Sequence, residues 1–259
     1  MKQFIVDAFT DKIFCGNPAA VCVLEKFLPE NLMQKIAMEN NLSETAFIVK
    51  GDEKFKLRWF TPAAEIDFCG HATLASGFVI LTQIEPNLNF VEFETRRGKL
   101  TVTKVDKFFE MDFPAYEYKK IPVTAEMQAA INAEIFEAYL SRDLLLVLKD
   151  AETVKKLQPN FEKLLKLEGT TQAVTAAGKN FDCVSRVFAP KLKINEDPVT
   201  GSTHCLIAPY WSEKLGKKKI IARQASTRGG ILHCEICGER VKISGQAVLF
   251  AVSKILPEN

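Results

Sequence analysis

The sequence predicts an α+β protein of two similar, pseudo-symmetric domains, in each of which short strands wrap a buried central helix. One observation is a recurrence of landmarks. Arg58-Trp59-Phe60-Thr61-Pro62 is answered by Arg186-Val187-Phe188-Ala189-Pro190, and Cys69-Gly70-His71-Ala72-Thr73 by Thr200-Gly201-Ser202-Thr203-His204. Thr95-Arg96-Arg97-Gly98-Lys99-Leu100 is answered by Thr227-Arg228-Gly229-Gly230-Ile231-Leu232. The separations are 128 residues from Arg58 to Arg186, 131 from Gly70 to Gly201 and 132 from Gly98 to Gly230. Order is kept with small insertions, and Phe113-Pro114-Ala115-Tyr116 marks the end of the first domain, which sets the domains at 1–115 and 116–259. The second observation is that Ala72–Leu81 carries no charged residue. A helix that is apolar on every face is a buried one, so the strands around it must cover it.

In the first domain, Gln3–Asp7 and Ala19–Leu24 read as strands around a turn-rich loop holding Asp11, Gly16, Asn17 and Pro18. Pro29–Asn40 is a helix with Leu32, Met33 and Ile36 on its apolar face. Strands follow at Thr45–Val49 and Phe55–Phe60, the latter stopped by Thr61-Pro62. After the central helix come strands at Phe90–Thr95, Lys99–Val105 and Phe108–Phe113. In the second domain, Ala125–Tyr139 reads as one helix and Leu144–Leu148 as a strand. Ala151–Leu157 and Asn160–Leu167 are short helices, and Gln172–Ala176 and Cys183–Phe188 are strands. Asn195–Thr200 lies in a polar loop. The helix Ser202–Leu215 contains Pro209 and is expected to kink there. Strands at Ile220–Gln224, Ile231–Ile236, Arg240–Ser244 and Ala247–Val252 close the second domain.

A net charge of +2 and the lack of a dense basic stripe with interleaved aromatics argue against nucleic acid as a partner. No apolar run approaches a membrane span, and the acid-interrupted start Met1–Asp7 is not that of a signal peptide. Seven irregularly spaced cysteines fit reduced thiols in a cytoplasmic protein. Cys234-Glu235-Ile236-Cys237 is formally a CxxC, but no second pair accompanies it and it sits in a strand-like run. Buried or half-buried thiols are therefore preferred to a zinc site, and no metal is assigned.

Gly70 and Gly201 each open a helix, and helix N-termini offer unpaired N–H groups and a positive dipole end. Two such ends facing one cleft would suit an anion, most economically a carboxylate. Neither a phosphate-cradling loop nor a dinucleotide fingerprint is present, so no cofactor is assigned. His71, in the first turn, is either a neutral donor or acceptor at the cleft or a cap for its own helix. Ser202, at the matching position, is either an N-cap or a ligand contact. Glu44, at the mouth of an apolar strand, is either an exposed loop carboxylate or a desolvated proton shuttle. Asp197 either orients a partner across the cleft or forms an Asx-turn.

Asn17-Pro18-Ala19, Asn41-Leu42-Ser43-Glu44-Thr45, Thr61-Pro62, Cys69-Gly70-His71-Ala72-Thr73-Leu74-Ala75 and Asp197-Pro198-Val199-Thr200-Gly201-Ser202 stand in the order of the phenazine-biosynthesis PhzF-like family. The resemblance covers essentially the whole chain. It implies the fold of diaminopimelate epimerase, with two barrel-like, mainly antiparallel sheets, each around a central helix, and the active site between them. It implies that Glu44 is the general acid/base, that His71, Asp197 and Ser202 are its polar supports, and that amides near Gly70-His71 and Gly201-Ser202 hold the substrate's carboxylate. It further implies a cofactor-independent isomerase, usually a homodimer. The best-understood member isomerises a dihydro-hydroxyanthranilate. The expectation is thus a small-carboxylic-acid isomerase with a single glutamate shuttle. The alternatives are a metabolite-binding or interaction protein without turnover, and a cysteine-dependent epimerase. Related epimerases use one thiol from each half, whereas here Cys69 is matched by Thr200, a very poor acid or base.

Overall fold

A computed structural model of the chain describes residues 1–51 and 54–256. It divides into two compact units, one of Met1–Asp112 with Ser244–Asn259 and the other of Phe113–Ile243. The last strand therefore belongs with the first unit rather than the second, and the boundary after 115 moves to 112. The reason is register. Strand β1 (Lys2–Ala8) pairs antiparallel with β2 (Asn17–Leu24) on one side and with the C-terminal strand Ala247–Lys254 on the other.

In the first unit β2 runs parallel to β3 (Glu44–Lys50), and β3 is antiparallel to β4 (Phe55–Phe60). Beyond them, Phe90–Thr95 pairs parallel to β4 and leads into an antiparallel meander through β5 (Gly98–Val105). Helix α1 (Glu30–Asn40) and helix α2 (Gly70–Val79) flank β2 and β3. β3 is buried on both faces along Glu44–Val49, as its apolar run requires. Phe47 and Val49 join Met33, Ile36 and Ala37 of α1 in one cluster. By the two-residue period of a strand, Glu44, Ala46 and Ile48 face the other way, toward α2.

α2 is the buried helix expected from its lack of charge; all of its residues except Phe78 are buried. Strands β1, β2, β3 and β5 and the C-terminal strand all contact it. Its hydroxyls are satisfied within the helix, Thr73 Oγ1 donating to Cys69 O and Ser76 Oγ to Ala72 O. A single π-helical turn, Ile80–Ile84, continues it.

The second unit departs from expectation in three places. The helix expected over 125–139 is α3 (Ala125–Ile131) followed by a strand, Ile135–Leu140. Asn132 adopts the left-handed conformation (φ 56°) and its N–H closes on Gln128 O, a C-cap that ends the helix. Ile194–Asp197 forms a short strand antiparallel to Cys183–Ala189, so Asp197 lies on a strand rather than in a loop. The third departure is the start of α4 (His204–Leu215), two residues later than expected; the helix continues through Pro209. Proline deprives the carbonyl four residues back of its donor. Here Cys205 O instead accepts the N–H of Tyr116 at 2.9 Å. Trp211 Nε1 ties α4 to the sheet by donating to Thr175 Oγ1. On the other sheet face, α3 and the short helices Ala151–Lys156 and Phe161–Leu164 pack over Leu144, Leu146, Leu148 and Val174. Each unit is thus a mainly antiparallel sheet with a largely buried long helix, the α+β architecture expected. Among the described residues no helix is long and apolar enough to cross a membrane.

Candidate active site

Glu44, Cys69, His71 and Asn17 come together in the first unit. Glu44 and Asn17 are the first residues of the neighbouring strands β3 and β2, and Cys69 and His71 flank the first residue of α2. All four are buried: Asn17 0%, His71 5%, Glu44 7% and Cys69 7% exposed. Glu44 is therefore no exposed loop carboxylate.

The His71 ring stands between two sets of partners. Its Nε2 lies 2.8 Å from Glu44 Oε2. That is an ion-pair distance, but neither atom makes an aligned hydrogen bond there, so the pair is in close contact and poorly directed. The other nitrogen, Nδ1, lies 3.1 Å from the Asn17 amide and 3.5 Å from Cys69 Sγ.

Burial alone would push the His71 imidazolium down, but the acids Cys69 and Glu44 more than reverse this and hold its pKa well above the ordinary value. The Cys69 thiol is itself pushed up to about 11, by burial first and then by the Glu44 carboxylate. It therefore stays protonated near neutrality, and the carboxylate supplies the charge that matters. One of the two readings of the sequence had His71 neutral, because of the helix dipole. A carboxylate in direct contact outweighs a partial charge at a helix end.

Glu44, Cys69 and His71 also form a group of three metal-type donors whose atoms lie within 4.8 Å of one another. They do not converge, because Glu44 faces one ring nitrogen and Cys69 the other. A zinc ion needs every donor at about 2.0–2.3 Å, which would require the ring to turn. The arrangement fits an acid–base chain better than a ligand set.

The other candidates lie in the second unit. Asp197 accepts the Thr200 hydroxyl at 2.6 Å through Oδ2, and its backbone carbonyl accepts from Gln224 Nε2 at 2.7 Å. Fully buried Gln224 also accepts the Thr200 N–H at 2.9 Å, so it pins this turn from two sides. Gly201–Thr203 forms a turn before α4, with Gly201 O accepting from His204 N. The two glycine-led segments thus differ: Gly70 is the first residue of its helix, whereas Gly201 precedes its helix by a turn. Ser202 Oγ accepts from Arg142 Nη2 at 3.1 Å. Gln224 and Arg142 carried no motif signal in the sequence, and Asn17 was visible only as part of Asn17-Pro18-Ala19.

His204 is a useful contrast to His71. It is fully buried, its Nδ1 donates to Thr200 O at 2.8 Å, and burial lowers its pKa to about 4. A depressed histidine pKa contributes stability that is whole above the unfolded value near 6.5 and is lost as pH falls toward 4. The raised value of His71 works in the opposite direction. Its contribution is whole below about 6.5 and is lost as pH rises through the folded pKa. Imidazole NMR titration is expected to show His204 neutral at pH 5 and His71 titrating well above the ordinary imidazole value. Urea midpoints should fall on both the acid and the alkaline side.

With this geometry in place, the chain can be set beside known proteins. The model of the family described as phenazine biosynthesis-like protein matches residues 6–253. The chain belongs to the phenazine biosynthesis-like family. An uncharacterized isomerase of Pseudomonas aeruginosa is 45% identical to this family member over 247 residues, 95% of each chain. An uncharacterized isomerase of Halalkalibacterium halodurans is 41% identical over 260 residues, 98% of this chain and 97% of that one. The crystal structure of a PhzF-family phenazine biosynthesis protein from Enterococcus faecalis is 50% identical and covers 98% of both chains, with a TM-score of 0.97. Near-complete superposition on a PhzF-family protein confirms the diaminopimelate epimerase-like fold that the motifs implied.

Proposed function

We propose that this chain is a cofactor-independent isomerase of a small carboxylic acid, in which Glu44 carries one proton between two carbons of the substrate. The observation that carries the reading is the buried Glu44 carboxylate held against His71, beside a thiol kept protonated. Relatives named as isomerases along nearly their full length support it. In the first step the Glu44 carboxylate takes a proton from a C–H, and the bonding electrons pass into the substrate's unsaturated system. In the second, the Glu44 carboxylic acid, whose proton can exchange with solvent between the steps, protonates another carbon. No atom is gained or lost and no oxidant is needed. His71, its pKa held up by Cys69 and Glu44, lies against the carboxylate and offsets its charge when protonated. Positioning supplies much of the remaining acceleration.

For Asp197 and Ser202 the reading keeps the supporting polar roles implied by the family, and for the amides near Gly70 and Gly201 the binding of carboxylate. A thiol-dependent epimerisation is disfavoured because a group with a pKa of about 11 is a poor base near neutrality. The reading retains a homodimer as the assembly and the cytoplasm as the compartment. None of the seven cysteines is in a disulfide, in keeping with a reducing environment.

The test is solvent exchange. The protein is incubated in D2O with a dihydro-hydroxyanthranilate and a set of small unsaturated cyclic carboxylic acids, and C–H loss is followed by NMR. Deuterium should enter at least one of them. Cys69→Ser should retain the rate within a factor of a few. Tight binding of these acids with no exchange in any would replace the reading by ligand binding without turnover. Collapse of the rate in Cys69→Ser would favour the thiol mechanism.

A further inference from the structure

The turn between strands Ile135–Leu140 and Leu144–Leu148 carries Ser141, Arg142 and Asp143. Asp143 is wholly buried, yet its carboxylate is fully supplied with donors. Oδ1 accepts from Arg142 Nε at 3.2 Å and Thr171 N at 3.3 Å. Oδ2 accepts from Arg142 Nη2 at 3.0 Å and the Thr203 hydroxyl at 3.0 Å. The Thr203 and Thr171 hydroxyls also meet each other at 3.2 Å. Thr203 immediately precedes α4, so the same carboxylate fixes the turn that carries Ser202.

Arg142 is held by this fork and by the face of Tyr116, whose ring centroid lies 5.2 Å from its Cζ. Its Nη2 reaches on to Ser202 Oγ at 3.1 Å. A guanidinium has donors only, so Ser202 Oγ must accept in this contact. The serine's own proton is then left to point at some other acceptor.

We propose that Arg142, locked by Asp143, is a positioning residue that presents the Ser202 hydroxyl as a hydrogen-bond donor to an oxygen of the substrate's carboxylate. The assignment rests on the reading that Ser202 contacts the substrate. Planarity matters here. One guanidinium spans the Asp143 carboxylate and the serine in a fixed plane, which a lysine ammonium does not reproduce.

Two measurements test this, one of them independent of any ligand. Crystal structures of Arg142→Ala and Arg142→Lys are expected to show Ser202 leaving its single side-chain position, fully in the first and partly in the second. Ser202 unmoved in Arg142→Ala would overturn the proposal. The second measurement is a double-mutant cycle on the dissociation constant of 3-hydroxyanthranilate, a stable aromatic carboxylate, with thermal midpoints taken to confirm folding. Ser202→Ala and Arg142→Ala are each expected to weaken binding about tenfold, in the range of a lost charge-assisted hydrogen bond. The double variant should be no weaker than the weaker single, because both act through one hydroxyl. Wild-type affinity in Arg142→Ala, or additive losses, would overturn the positioning role. Wild-type affinity in Ser202→Ala would overturn Ser202 as a ligand contact and the proposal with it, whereas wild-type affinity in Arg142→Ala alone would overturn only the positioning role.

Discussion

Glu44→Gln is expected to lower solvent exchange into the substrate by about 10²- to 10⁴-fold, the usual contribution of a positioned general acid/base. The substitution is nearly isosteric, so the strand end and the α2 face it meets keep their shape. An amide cannot take a proton from carbon near neutral pH, whereas the carboxylate can. Binding of a non-reacting carboxylate such as 3-hydroxyanthranilate should change only by a factor of a few, which separates chemistry from capture. A second readout needs no substrate. His71 owes its raised pKa in part to Glu44, so its NMR titration should move down when the charge is removed. Exchange at the wild-type rate in a folded Glu44→Gln protein would falsify the single-glutamate mechanism. Lost exchange with an unmoved His71 titration would show that the two groups are not coupled as their 2.8 Å contact implies.

How far the sequence revealed this site depended on the range of the interactions. The buried α2 was legible because burial of a whole helix is written into ten consecutive residues. Glu44 was legible as a motif residue, but not its burial or its partner. Those follow from the facing of β3, where even-numbered residues turn to α2 and odd-numbered ones to α1, a matter of register that a linear pattern does not fix. The Ala125–Tyr139 reading failed because Ala133 and Glu134 are good helix formers next to a single αL residue, Asn132, and local propensity outvoted the cap. The return of Ala247–Lys254 to β1 is a pairing across nearly the whole chain and leaves no local trace. Arg142, Asp143 and Gln224 stayed hidden for the same reason. Apart from the Arg142–Asp143 contact between neighbours, each acts through partners at least 24 residues away, in side-chain contacts that no short motif encodes.

Gly77→Val is expected to destabilise the protein by about 3 kcal/mol, at the upper end of the usual cost of overfilling a core. A Cβ added at Gly77 would lie 2.4 Å from Val102 Cγ1, 2.6 Å from its Cβ and 2.9 Å from its Cγ2. Val102 is fully buried on β5, between register partners Val91 and Met111 that are themselves buried. Turning χ1 moves the methyls but leaves the Val102 Cβ in place at 2.6 Å, so rotation alone brings no full relief. A glycine inside a helix costs about 1 kcal/mol relative to alanine, so propensity alone would favour replacement. The clash must therefore exceed that gain, and Gly77→Ala should already lower stability modestly. For a chain of this size about 3 kcal/mol corresponds to a fall in thermal midpoint of about 6–12 °C. Calorimetry of Gly77→Val, Val102→Ala and the double variant isolates the cause. Removing the two γ-methyls leaves the Val102 Cβ still too close, so rescue should be real but partial, a coupling that independent sites would not show. A Gly77→Val protein melting at the wild-type temperature would mean that α2 does not rest on β5 at this point, and that the closeness of helix and strand is not set by the missing side chain.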